Sequence, residues 1–192
     1  ALVLLSRYRG RDEFCDPFCG SGTIPIEAAL IAKNRAPGLE RSFAAQKWKT
    51  MPGTLWLDAA EEAMDKEFHG SYDIWGGDID PAAVELSRHN AALAGVEDCV
   101  RFEVADAGKF HRESAYGQLV TNPPYGERLL EKTEAEALYR RFGAAARTLP
   151  PGWRVVVLSS HTEFERAFGR PADKKRKLYN GMLKCDAFLY GR

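Results

Sequence analysis

The sequence predicts an α/β fold: a seven-stranded, mostly parallel sheet with helices on both faces and a C-terminal antiparallel hairpin. Three observations carry that expectation. Short apolar runs alternate with stretches of helical periodicity, the pattern of a parallel sheet with crossover helices. "WRVVVLSS" (153–160) holds four consecutive apolar residues, as expected of a strand buried on both faces. Near the end, Asn180-Gly181 separates two strand-like runs, a hairpin signal.

The elements follow in order. "ALVLLSRYRG" (1–10) opens in mid-pattern, without an initiator Met or a helix cap. Its apolar run is shorter than the ~7–15 residues of a signal-peptide core. It reads as the tail of a helix continuing from an upstream domain. "EFC" (13–15) is a short first strand, and residues 22–34 carry Ile24, Ala28, Ile31 and Ala32 at helical spacing. Pro25 falls in that helix's first turn, where proline is tolerated. Residues 35–71 form an insertion, with a helix expected over "LWLDAAEEAMDKEF" (55–68). "YDIWGGD" (72–78) is the second strand. Pro81 starts the next helix and Gly95 closes it. "VRFEVAD" (100–106) and "GQLVTN" (117–122) are the third and fourth strands. A helix over 134–149 precedes the fifth, and the hairpin of 177–191 completes seven.

Composition bounds the function. The 192 residues suit one domain, residues 1–192, able to bury about 70% of its unfolded surface without disulfides. No apolar run approaches the ~20 residues of a membrane span, so no membrane partner is expected. Lys+Arg and Asp+Glu both count 27. That balance excludes polyanion binding by net charge alone, so any nucleic-acid affinity must come from local patches or another domain. Cys15, Cys19, Cys99 and Cys185 show no paired metal-ligand spacing. They read as reduced thiols of a cytosolic protein, and no metal is expected. His69, His89, His111 and His161 read as surface residues, and no nucleophile-elbow pattern is present.

Four strand ends carry unusual residues, where open α/β sheets bind ligands. In "DPFCGSGT" (16–23), Gly20 and Gly22 permit close backbone approach. The helix behind them offers free N–H groups to a carboxylate or phosphate. Asp16 could accept from an ammonium group. The loop lacks G-K-[ST], and Pro25 stands where a dinucleotide fingerprint has its third glycine. In "GGDIDP" (76–81), Asp78 suits a ribose diol, and Asp80 reads more naturally as a helix cap. Asp106, in "VADAGKF" (104–110), could bind the amino group of adenine or cap the next turn. The fourth end is "TNPPYG" (121–126). Asn122 supplies a neutral amide oxygen. Pro123 and Pro124 have fixed φ and aim the neighbouring carbonyls in one direction. Two converging acceptors suit an exocyclic –NH2, and Tyr125 offers a flat face to a base.

Together these residues resemble the class I S-adenosylmethionine-dependent methyltransferases, Rossmann-like enzymes that act on amino groups. "DPFCGSGTIPIEAALIAKNRAPGLERSFAAQKW" (16–48), "TNPPYGERL" (121–129) and "LYNGMLKC" (178–185) resemble the bacterial 23S rRNA guanine-N2 methyltransferases that carry an upstream THUMP RNA-binding domain. The resemblance implies S-adenosylmethionine as cofactor. It implies a cofactor site of Asp16, Pro17, Cys19, Gly20, Ser21, Gly22, Thr23, Asp78, Ile79, Asp106, Ala107 and Asn122. The catalytic loop would be Asn122, Pro123, Pro124 and Tyr125. It further implies methyl transfer to guanine N2 of large-subunit rRNA, in the cytoplasm, with an upstream RNA-binding domain supplying affinity. Asn-Pro-Pro-Tyr is shared with N6-adenine DNA methyltransferases, and a tRNA guanine-N2 enzyme or an inactive RNA-binding module also fits. Two basic stretches bear on RNA. Lys174, Lys175, Arg176 and Lys177, in "RPADKKRK" (170–177), are expected on a loop before the hairpin. They are either a solvated surface or a phosphate contact. Arg41 and Lys47, in "RSFAAQKWK" (41–49), either form part of the substrate wall or pack the insertion onto the sheet.

Overall fold

The computed structural model describes residues 1–39, 41–50, 52–126 and 129–191. Glu40, Glu127 and Arg128, which belong to motif strings quoted above, and Met51 of the insertion lie outside the described residues. Seven strands form one sheet in the order β3-β2-β1-β4-β5-β7-β6. They are β1 (Glu13–Asp16), β2 (Ile74–Asp78), β3 (Val100–Val104), β4 (Tyr116–Thr121), β5 (Gly152–Ser159), β6 (Lys174–Asn180) and β7 (Leu183–Tyr190). β1 to β5 are parallel, and β7 runs antiparallel to both β5 and β6. This is the sheet the sequence predicts.

Strand alternation builds a core on each face. Phe14, Val156 and Leu158 pack with Val3 of α1 (Leu2–Ser6), with Ala28 and Ala29 of α2 (Thr23–Lys33), and with Val84 of α4 (Pro81–Leu93). Cys15, Leu119, Val155 and Val157 face the other way. They pack with Tyr139 and Phe142 of α5 (Leu129–Ala146) and Phe164 of α6 (Phe164–Phe168). Both faces of the central strands are thus covered, which is why they read as continuous apolar runs. α4 starts where Pro81 supplies its N1 residue and the Asp80 carboxylate accepts from the Ala82 amide at 2.9 Å. Asp80 is therefore the helix cap.

Several boundaries differ from expectation. α5 begins at Leu129, before the predicted Glu134, and the five-residue α6 is too short to show a period. The insertion helix α3 spans Gly53–Asp65 rather than 55–68 and buries none of its residues. The ends of the inserted segment are tied to the end of α2. Arg35 pairs with Glu67 at 2.6 Å, Asn34 Nδ2 donates to the Lys66 carbonyl at 3.0 Å, and the Phe68 amide donates to the Lys33 carbonyl at 2.6 Å.

Two expectations are corrected. Lys174–Lys177 are not on a loop: they form the first half of edge strand β6, because register with β7 (Lys174↔Leu189 to Lys177↔Asp186) continues through them. An edge strand rich in lysine also resists pairing with other chains. His161 is not a surface histidine. It is 8% exposed, its Nδ1 accepts from the Glu163 amide at 3.1 Å, and its ring meets Tyr139 edge-on at 5.7 Å.

Candidate active site

Strand order reverses between β1 and β4: the chain builds β2 and β3 on one side of β1, then crosses to the other. In such sheets the loops leaving the two central strands part and open a crevice. A cavity of about 400 Å³ lies there. Pro17, Phe18 and Gly20 line it from the β1 end, and Asp78 and Ile79 from the β2 end. Ala105, Asp106 and Ala107 follow β3, and Asn122, Pro123, Pro124 and Tyr125 follow β4. Leu138 and Arg141 of α5 close the wall. All four predicted strand ends meet in one space.

On one side, carboxylates organise backbone amides. Asp78 accepts from the Gly20 amide at 3.0 Å through Oδ2 and from the Asp80 amide at 3.0 Å through Oδ1. The charge that sequence reasoning gives to a ligand thus also fastens the glycine loop to β2. Gly20 holds φ +53°, and a Cβ there would stand in open space, so the backbone is bare to the cavity. Gly22 does a different job. At φ +83°, a Cβ would come within 2.8 Å of Ser87 Cβ, so the glycine lets the loop pack on α4. Asp106 caps the turn after β3 by accepting from the Gly108 amide at 2.9 Å, and its Oδ2 lies 3.7 Å from Arg141. Ile79 is 71% exposed on the rim, an apolar side chain with nothing of the protein over it.

Asp16 joins the two sides. Its Oδ1 accepts from the Thr121 hydroxyl at 2.6 Å and from the Phe18 amide at 3.0 Å. Its Oδ2 is buried and has no hydrogen-bond partner among the described residues. Burial pushes the carboxyl up to about 7, against the lowering effect of the Thr121 and Phe18 hydrogen bonds. The Cys19 thiol beside it is pushed up to about 12, again by burial, and stays protonated.

On the other side, neutral groups hold neutral groups. The Tyr125 hydroxyl donates to Asn122 Oδ1 and accepts from Asn180 Nδ2 at 3.3 Å. Burial raises that phenol to about 12, so it remains a donor at neutral pH. The Asn122 oxygen has a second lone pair for another donor. Beneath the loop, the Tyr139 hydroxyl donates to the Pro124 carbonyl at 2.6 Å and lies 3.3 Å from the Ser159 hydroxyl. Ser159 in turn accepts from the His161 amide at 3.1 Å.

The structure does not bring every predicted residue to the cavity. Asp16 is buried behind the wall rather than in it, and Cys19, Ser21, Gly22 and Thr23 continue the glycine loop into α2 without lining the space. The Ser21 carbonyl accepts from Asn90 Nδ2 at 2.8 Å. Arg41 lies over the Phe43 ring at 5.7 Å and borders a separate groove beside Leu30 and Leu93. Lys47 ends an exposed 3-10 turn. Of the basic run, Lys175 is engaged by Glu165 at 2.7 Å and sits over the Phe188 ring. Lys174, Arg176 and Lys177 make no ion pair among the described residues. Sequence reasoning missed Tyr139, Leu138 and Arg141. They lie within an ordinary amphipathic helix, and nothing in their spacing marks them. Among the described residues, no group of three or more His, Cys, Asp or Glu is placed to hold a metal.

Comparison with known proteins now names the architecture. Residues 1–188 match the model of the UPF0020 family, described as RMKL-like, methyltransferase domain. The chain belongs to that family. It is similar to the ribosomal RNA large subunit methyltransferase K/L of Shewanella baltica, 41% identical over 180 residues, 91% of this chain and 25% of that protein. The crystal structure of SMU.472 complexed with SAH superposes with a TM-score of 0.94 at 42% identity, covering 99% of this chain and 51% of that one. A Listeria monocytogenes structure described as a predicted N6-adenine-specific DNA methylase superposes at 0.93 and 44%, covering all of this chain and half of its own. The chain therefore spans between a quarter and about half of these relatives. The fold is the Rossmann-like methyltransferase fold, and the SMU.472 structure carries SAH, the demethylated form of S-adenosylmethionine. The cavity fits that group: a bare backbone at Gly20, an exposed apolar Ile79, and the Asp78 and Asp106 carboxylates in its lining.

Proposed function

We propose that this chain transfers the methyl group of S-adenosylmethionine to the exocyclic N2 amine of a guanine in 23S ribosomal RNA. The observation that carries the reading is the neutral acceptor loop at Asn122–Tyr125, facing the carboxylate-lined cavity across one crevice. The cofactor supplies a sulfonium methyl that is already electrophilic. The weak partner is the amine, whose lone pair is delocalised into the ring. Asn122 Oδ1 and the Pro123 carbonyl would accept its two hydrogens, drawing nitrogen toward tetrahedral geometry and stabilising the positive charge that develops. With the cofactor bound, the nitrogen lone pair would form the new N–C bond as the C–S bond breaks with its electrons left on sulfur, and the extra proton would leave to water. Holding the three atoms in line supplies the remainder. A base within a helix must first be flipped out.

Around that centre, Asp78 would hold the ribose hydroxyls, Asp106 and Ala107 the adenine edge, and Asp16 the ammonium group. Pro17, Cys19, Ser21, Gly22 and Thr23 would shape the loop beneath. RNA phosphates would meet Arg41, Lys47, Lys174, Arg176 and Lys177, with Lys175 drawn partly away by Glu165. Charge reversal at Lys174 and Lys177 should flatten the salt dependence of RNA binding, since each phosphate contact contributes to that slope. An unchanged slope removes β6 from the RNA surface. An upstream THUMP-type domain and a cytoplasmic site of action complete the reading. It draws support from the name of the Shewanella K/L protein.

The Listeria relative's description favours a second reading, methylation of adenine N6 in DNA. The same two acceptors fit that amine. Nucleoside mapping separates the readings. Protein-free large-subunit RNA, tRNA and genomic DNA are incubated with labelled S-adenosylmethionine and digested. N2-methylguanosine from the ribosomal RNA is expected. Label confined to N6-methyladenine or to tRNA overturns the assignment, and retention of more than a third of the activity by Asn122→Ala overturns the mechanism.

A further inference from the structure

The C-terminal hairpin stands clear of the sheet. β5 ends at Ser159, which pairs with Asp186, so Leu183, Lys184 and Cys185 run past it and pair with β6 alone. At about 3.4 Å per residue, the ribbon overhangs the carboxyl edge by roughly 10 Å. Its two-residue loop, Gly181–Met182, has positive φ at the glycine, as a type II′ turn requires. At the tip Met182 is fully exposed and Tyr179 is 71% exposed. Asn180 ties the tip to the acceptor loop through the Tyr125 hydroxyl at 3.3 Å. Register sets Lys184 opposite Tyr179, and strand alternation puts Lys177 on the same face. Neither lysine makes an ion pair among the described residues.

A ring and a thioether held in water serve no core. Set at the tip of a ribbon whose opposite face reaches the amine-binding loop through Asn180, with Lys177 and Lys184 on the ring's own face, they have the chemistry of a stacking platform on a polynucleotide. We infer that Tyr179 stacks on the base next to the methylated nucleotide, and that Met182 fills the gap the flipped base leaves in its strand. The inference rests on the proposed reading that the methyl acceptor is a base within a nucleic-acid chain.

The test uses the protein as the cell makes it and protein-free large-subunit ribosomal RNA as substrate. Steady-state methyl transfer is measured for wild type, Tyr179→Ala, Met182→Ser and Tyr179→Phe, and S-adenosylhomocysteine affinity is measured by calorimetry. Loss of one stacked base is worth about 5- to 150-fold. Tyr179→Ala should raise KM for RNA within that range, with kcat and S-adenosylhomocysteine affinity changed less than twofold. Met182→Ser should act in the same direction, and Tyr179→Phe should restore most of the loss. A KM for Tyr179→Ala within twofold of wild type overturns the platform while wild-type transfer to RNA preserves the parent reading. Tyr179→Phe failing as badly as Tyr179→Ala, with cofactor affinity lost in both, also overturns it. Wild-type transfer only to non-nucleic-acid acceptors overturns both.

Discussion

The two walls of the crevice are built on different electrostatic plans. After β1, β2 and β3, carboxylates do the holding: Asp78 grips the Gly20 and Asp80 amides, and Asp106 caps its own turn. After β4, the holding is done by a neutral network running from Tyr125, Asn122 and Asn180 to Tyr139 and Ser159. The difference suits the two ligands of the proposed reading. A cofactor with an ammonium group and a diol is well met by anions. An aromatic amine that must become more nucleophilic, and then cationic, needs acceptors that cannot be protonated at working pH. A carboxylate in the second role would vary with pH, whereas an amide and a peptide carbonyl would not.

The largest break in this contrast comes from Asn122. On the proposed reading, Asn122→Ala removes the acceptor that would meet the reacting nitrogen and is expected to lower kcat by about 10²- to 10³-fold, the scale of losing one preorganised transition-state partner. S-adenosylhomocysteine affinity should stay within a few-fold of wild type. Asn122→Asp keeps an acceptor and should recover part of the rate at the expense of a new pH dependence. Equal rates for the two variants would show that the side chain does not touch the amine.

Asp78 probes the opposite wall. Asp78→Asn retains shape but loses the charge, and hydrogen bonds to charged groups are worth about 1.5–3 kcal/mol. Cofactor affinity should fall by roughly 10- to 150-fold in calorimetry, with kcat at saturating cofactor little changed. The reverse pattern, a kcat loss at constant affinity, would show that the two walls do not divide the work this way.

Much of this division was legible in the sequence. Strand ends reveal themselves because Asp, Asn, Pro and Gly interrupt apolar runs, so residues 16–23, 76–81, 104–110 and 121–126 stood out. The strand count and the parallel sheet followed from the same alternation, and the strand order came only from the structure. The supporting layer was not legible. Tyr139 sits in a helix whose aromatic residues would be apolar for packing alone, and only its position under the Pro124 carbonyl gives its hydroxyl a task. His161 looked like loop and is buried because its ring meets Tyr139 of α5, the helix on which α6 packs. The basic run looked like loop because Lys and Arg are poor strand formers, and pairing with β7 overrides that preference.

Tyr139 sharpens the comparison from within the neutral wall. Tyr139→Phe keeps the ring against Phe164 and removes the donor to the Pro124 carbonyl. An unsatisfied carbonyl costs about 1–3 kcal/mol. Most of that can be relieved by loop movement toward water, so the expected effect is near the low end, roughly a tenfold loss of kcat. The residue positions the loop rather than touching substrate. Its signature is therefore a kcat change with constant S-adenosylhomocysteine affinity and a melting temperature close to wild type. A matching loss of stability would reduce Tyr139 to a core residue.

The smallest expected effect lies where the two plans meet, at Asp16. Burial raises its carboxyl to about 7 in the folded chain, against an ordinary value of 3.8. The sign follows from linkage. The folded state holds the proton more tightly than the unfolded state, so this group's contribution to stability is present below pH 4 and lost as pH rises through 7. The ligand-free protein should melt higher at pH 6 than at pH 8 on this account, and Asp16→Asn should remove that difference. Ligand binding runs the other way. If an ammonium group completes the orphaned Oδ2, the ionised carboxylate is the binding form. S-adenosylhomocysteine affinity should then rise roughly eightfold from pH 6 to 7.5, before the ligand's own α-amino group deprotonates near pH 8. Asp16→Asn should bind more weakly and lose the acid limb. A variant that keeps the wild-type pH slope would assign it to another group and leave Asp16 as a tie between β1 and Thr121 alone.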